Sequence, residues 1–199
     1  MNRTNLFAVA AVLILAGCST PEVLLPRAGA VPAGVDLSGN WHIRPGSLLD
    51  QQRIREAIRK TDGVDDDEAF GNKRRQSQRG SVRSGNSRGG LVYVFLELGR
   101  SLKVTQTPHG LFISFDRSIV EEYRFGENLI ATIGEIAAQR VTGWEGNTLV
   151  IETLDRNNMK LTERYRLTDN NQVLERTITL RSKALEEETV IQMFDRVAN

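Results

Sequence analysis

Along the last third of the chain, hydrophobic and polar side chains alternate with a period of two. Met159, Leu161, Tyr165 and Leu167 share one parity, and Lys160, Thr162, Arg164 and Arg166 share the other, as in a strand with one buried face. In the next such run Leu174, Ile178 and Leu180 form the apolar set, and the intervening Asp169-Asn170-Asn171-Gln172 is turn chemistry. A two-residue turn at Asn170-Asn171, or a four-residue loop around it, sets Leu167 opposite Leu174 and Leu161 opposite Leu180. A three-residue loop would turn one apolar set to water, because a slip of one residue exchanges the faces. Just upstream, Trp144-Glu145-Gly146-Asn147-Thr148-Leu149-Val150-Ile151-Glu152-Thr153 reads as a hairpin that keeps Trp144 on the core side with Leu149 and Ile151.

The same logic places further strands at 36–44, 101–107, 111–115, 118–125, 129–133, 139–144 and 189–197, with a turn at Pro108-His109-Gly110. In the first of them Leu37, Trp41 and Ile43 face inward. Ser47 with Asp50 three residues on, followed by Ile54 and Ile58, predicts one helix to about Lys60, with Leu48 on the same side. Residues 91–98 fit a strand or a short helix. Nine or ten closely spaced strands predict a mainly β fold: an antiparallel meander closing into a barrel or sandwich of 8–10 strands, with one helix after the first strand.

Apolar content collapses between 61 and 90. Asp62, Asp65, Asp66, Asp67 and Glu68 precede Lys73, Arg74, Arg75, Arg79, Arg83 and Arg88, and such a segment cannot bury enough surface to offset its ordering entropy. It is expected to be a disordered insertion whose two halves neutralise each other. Its basic half has no aromatic residue for base stacking, so no nucleic-acid partner is expected. The formal net charge of +1 over 199 residues adds no strongly charged partner surface.

Arg3, the apolar run 6–15 and the small pair Ala16-Gly17 make residues 1–17 a signal peptide, too short in its apolar part to span a bilayer. Leu15-Ala16-Gly17-Cys18 resembles the lipobox of bacterial lipoproteins at all four positions. The resemblance implies cleavage before Cys18 and acylation of Cys18 with diacylglycerol and often a further chain such as palmitate. Two or more chains hold a protein on a membrane stably. Ser19, in place of an aspartate, leans toward the outer membrane on its periplasmic side. Residues 18–35 carry three prolines and little charge and read as a lipidated tether reaching roughly 55 Å when extended. Residues 36–199 are then the folded domain.

Candidate chemistry is sparse. The predicted register puts Glu163 and Arg176 on the apolar face as diagonal neighbours, roughly 7 to 8 Å apart, with Tyr165 directly across from Arg176. They form either a partly buried ion pair or the polar anchor of a ligand cavity that Trp41, Tyr123 and Trp144 would help line. His42 sits at an outward strand position and His109 in a turn. Cys18 is the only cysteine, so with its sulfur acylated no thiolate chemistry remains; no cofactor or metal is expected. Asp155-Arg156-Asn157-Asn158 lacks the glycine and acidic series of a calcium loop. Catalysis by paired carboxylates would need Glu152 and Glu163 to converge in a cleft.

Gly39-x-Trp41 resembles the motif that opens lipocalin barrels. Together with Leu37-Ser38-Gly39-Asn40-Trp41, the 144–153 hairpin, Leu161-Thr162-Glu163-Arg164-Tyr165 and Phe194-Asp195-Arg196, it makes the chain similar to a family of secreted bacterial proteins. That resemblance implies a lipocalin-like β fold and brings no catalytic residue with it. Three functions follow as expectations: a non-catalytic interaction module of the envelope whose partner is a protein or cell-wall component; a barrel binding a small apolar or amphipathic ligand; or, least expected, a hydrolase.

Overall fold

The computed structural model describes residues 22–62 and 91–198. The signal peptide, Cys18 and most of the charged insertion lie outside the described residues. Ten strands follow in chain order: β1 (Gly39–Ile43), β2 (Ser101–Gln106), β3 (Gly110–Phe115), β4 (Ile119–Arg124), β5 (Asn128–Ile133), β6 (Ile136–Glu145), β7 (Thr148–Asp155), β8 (Lys160–Thr168), β9 (Val173–Arg181) and β10 (Glu187–Val197). They form one antiparallel sheet in the order β4-β3-β2-β1-β10-β9-β8-β7-β6-β5. The fold is the expected mainly β meander, with the first and last strands side by side in its middle.

Register follows from the pattern. Leu167 pairs with Leu174, Tyr165 with Arg176 and Leu161 with Leu180. The turn takes the four-residue form: Gln172 N–H donates to Asp169 O at 3.0 Å, and Asp169, Asn170 and Asn171 have φ of 49°, 52° and 66°. Asp and Asn tolerate that left-handed region better than other side chains.

The sheet curls until its ends meet. Beyond β4, Gly126 N–H donates to Thr142 O of β6 at 2.8 Å, and the rings of Phe125 and Trp144 meet edge to face at 5.3 Å. This is a barrel rather than a sandwich, with an unladdered seam between β4 and β5. One end is capped by helix α1 (Leu48–Asp62) and the 3-10 helix Leu91–Phe95. The run 91–98 therefore opens as helix. Ile54, Ala57 and Ile58 pack there with Val92, Tyr93, Phe95, Leu161, Ile178 and Leu180, an i, i+3, i+4 stripe meeting the inward face of the sheet. The other end is filled by Leu37, Trp41, Phe115, Tyr165, Leu174 and Phe194.

One expectation is corrected. From Glu22 onward the presumed tether is a strap bound to the barrel. Glu22 pairs with Lys160 at 3.0 Å and Arg181 at 2.5 Å, and Leu24 is buried against Val141 and Leu154. Arg27 pairs with Glu145 and Glu152, and Ala28 bridges to Trp144. The reason lies in β6: β5 pairs with it only as far as Val141, leaving an edge of unpaired backbone groups. Ala28 O takes the Trp144 N–H at 2.9 Å, which blunts that edge. Gly143 permits the approach, since a Cβ there would stand 2.5 Å from Ala28 O.

Candidate functional site

Each strand from β8 to β10 carries one apolar set, a polar interruption and a second apolar set. Leu161, Glu163 and Tyr165 follow one another inward on β8; Leu174, Arg176 and Ile178 do so on β9; Val190, Gln192 and Phe194 on β10. Because Tyr165 pairs with Arg176 and Arg176 with Gln192, the interruptions align into one polar layer between the two apolar clusters.

Arg176 is its centre and is wholly buried. Its Nε donates to Glu163 Oε2 at 3.0 Å, and its Nη2 to the same oxygen at 2.5 Å and to Glu97 O at 2.8 Å. Its Nη1 donates to Gln192 Oε1 at 3.3 Å. The guanidinium carbon lies 5.3 Å from the Phe115 ring centre and 5.5 Å from that of Tyr165. The Tyr165 hydroxyl donates to Glu163 Oε2 at 2.8 Å, so one carboxylate oxygen serves both partners. Burial opposes the Arg176 charge, but Tyr165 and Glu163 outweigh it and hold the guanidinium above its ordinary pKa. Burial also pushes the Tyr165 phenol well above its usual range, as it does that of Tyr123.

The layer continues onto β6. Arg140 Nε donates to Thr153 Oγ1 at 3.3 Å, and Nη1 lies 3.6 Å from Glu121 of β4. The Arg140 guanidinium carbon lies 5.1 Å from the Phe95 ring centre and 5.4 Å from that of Tyr123. This cation closes the seam from inside. Sequence reasoning passed over Arg140, Glu121 and Gln192, although Arg140 shares the parity of Thr142 and Trp144.

The structure thus joins Glu163, Tyr165 and Arg176, and sets Trp41 and Trp144 in the neighbouring apolar cluster. Trp41 Nε1 donates to Leu37 O at 3.1 Å; Trp144 Nε1 is buried with no hydrogen-bond partner among the described residues. Trp41, Glu163, Tyr165 and Arg176 are each at most 2% exposed. Two open hollows, of about 390 and 400 Å³, lie at the strand ends beside His109, Tyr123 and Phe125 and beside Gly39 and Arg196. Neither is lined by Glu163, Tyr165 or Arg176.

The proposed carboxylate pair separates. Glu152 pairs with Thr162 and Glu163 with Ile151, so the two acids lie on opposite faces, Glu152 outside with Arg27 and Lys160. His42 is exposed and 3.1 Å from Ser101 Oγ; His109 is exposed in its turn. Asp155 Oδ1 accepts the N–H groups of Asn157 and Met159 at 2.7 and 3.0 Å, which closes the hairpin loop. Among the described residues no three His, Cys, Asp or Glu stand together as metal ligands, and no helix is long and apolar enough to cross a membrane.

No protein-family model matches the chain, and no curated protein does. Among solved structures the chain is similar to the REP1-NXSQ fatty acid transporter, at 11% identity over 82% of this chain and 98% of that one, with a TM-score of 0.47. It is similar to apo lipid binding protein 8 of Caenorhabditis elegans, at 11% identity, 83% and 100% coverage and a TM-score of 0.48. It is also similar to secretory abundant heat soluble protein 4 of Ramazzottius varieornatus, at 14% identity, 83% and 97% coverage and a TM-score of 0.47. At these identities the likeness is one of β architecture alone.

Proposed function

We propose that this protein is a non-catalytic binding module of the bacterial envelope, held on the periplasmic side of the outer membrane by lipid on Cys18. The observation that carries the non-catalytic reading is the filled interior: Trp41, Phe115, Tyr165, Arg176 and Phe194 are all buried to within 1% of complete. A barrel packed to its centre meets its partner on the outside, so the partner is a protein or a cell-wall component. Gentle extraction of the membrane form followed by mass spectrometry of what co-purifies tests this, and a reproducible protein or glycan partner is the expected result. For the anchor, Cys18→Ala moves the protein from the membrane to the soluble fraction. Continued sedimentation of that variant with membrane removes the lipid from the account.

A second reading has its own observation. Gln192 Nε2 is buried beside Arg176 with no hydrogen-bond partner among the described residues, and the guanidinium already holds a carboxylate, that of Glu163. A small amphipathic carboxylate is the ligand chemistry that such a layer would accept if Glu163 gave way; the fatty acid transporter among the similar structures is named for a ligand of this kind. One equivalent of an amphiphile in the extracted protein favours this reading over the first.

A further inference from the structure

The strap leaves an apolar patch on the outside of the barrel. Leu24 is buried, but its neighbours Val23 and Leu25 are 64% and 77% exposed, and Ile130 of β5 is 65% exposed. One side chain gathers them. Gln139 accepts the Leu24 N–H at 2.9 Å and donates to Leu24 O at 3.1 Å and to Asn128 Oδ1 at 2.9 Å, and Ile130 is its cross-strand partner. Large apolar side chains left together at a surface mark a contact.

The length of chain before the patch says what the contact is. Only four residues carry the chain from Cys18 to Glu22, and Glu22 is held by Lys160 and Arg181. Fully extended, four residues reach about 13 Å, only a little beyond the roughly 5 to 8 Å headgroup layer on one side of a bilayer. A leash this short cannot let the barrel stand away from the lipid that receives the acyl chains. We propose that Val23, Leu25 and Ile130 rest in the interfacial layer of that bilayer, so that the strapped face of the barrel lies against the membrane and the β10 side faces away. This deepens the anchored reading above and rests on it.

The test uses the full lipidated chain in vesicles of phosphatidylethanolamine and phosphatidylglycerol. Leu25→Cys, Ile130→Cys and, as the far-side control, Ile191→Cys each receive a polarity-sensitive fluorophore; Ile191 is 50% exposed on β10, four strands from β6 in the sheet. All three positions are exposed, so the fold tolerates the label. Labels at 25 and 130 emit to the blue and are quenched several-fold less by aqueous iodide than the label at 191. Equal quenching at all three, with acyl chains found on Cys18 by mass spectrometry, overturns the contact and leaves the anchor. Cys18 found without acyl chains overturns both.

Discussion

Arg176 has lost all contact with solvent, and it is tolerable only because four acceptor contacts travel with it. Removing one member of such a buried pair leaves the other charged and unpaired, which costs about 3 to 5 kcal/mol, whereas replacing both by apolar groups of similar volume is often neutral or better. Arg176→Met should therefore destabilise the barrel by about 3 to 5 kcal/mol in urea denaturation, while Arg176→Met with Glu163→Leu should recover most of the loss. A double variant no more stable than the single one would mean that the layer contributes through Gln192 and the Glu97 carbonyl rather than through the ion pair. Tyr165 reports on the same site: its hydroxyl meets the shared Glu163 oxygen, so Tyr165→Phe removes one hydrogen bond, worth about 1 to 2 kcal/mol.

At the scale of elements, the two-residue period carried the β8–β9 hairpin, because parity and turn length together leave one register that keeps both leucine sets dry. Even the Tyr165–Arg176 pairing was readable. The strap was not, since its partners lie 104 to 159 residues away and nothing in the local pattern of Glu22 to Ala28 announces a docking edge. Gly143 likewise reads as a weak strand residue until Ala28 is seen above it. Parity also implied that Glu152 and Glu163 face apart, since Glu152 follows the inward Ile151 whereas Glu163 shares the apolar face of Leu161 and Tyr165. Gly143→Val should push the strap off, at a cost of about 1 to 3 kcal/mol, with amide exchange at Leu24 and Trp144 rising toward that of a free edge. Acid should do the same reversibly. The hydrogen bond from Arg181, opposed by burial and aided by Lys160, lowers the Glu22 pKa, so the unfolded form binds the proton more readily. The strap's contribution is full above the ordinary glutamate range near ~4.3 and is lost as pH falls through the lowered value. Strap exchange that stays unchanged as pH falls from neutral through the whole carboxylate range, ahead of global unfolding, would show that Glu22 does not hold it.

For the whole molecule, the sheet closes without a continuous ladder, and apart from the Gly126–Thr142 backbone hydrogen bond the approach of β4 to β6 depends on side chains. Arg140 reaches across to Glu121, and its guanidinium lies within 5.4 Å of the Tyr123 ring centre. Arg140→Ala should loosen β4 and β6 selectively, raising amide exchange along both while leaving β9 and β10 protected; uniform loosening of all ten strands would contradict a seam held at that point.

The pairing of β1 with β10 has a temporal side. Asn40 aligns with Val197, so a chain made from its N-terminal end must be delivered as far as β10 before the first strand gains its second neighbour. Glu22 waits in the same way for Lys160 and then Arg181 to emerge. A chain made as far as Arg124 can hold the β2–β4 meander but no closed wall, so the polypeptide stays open until β10 has emerged.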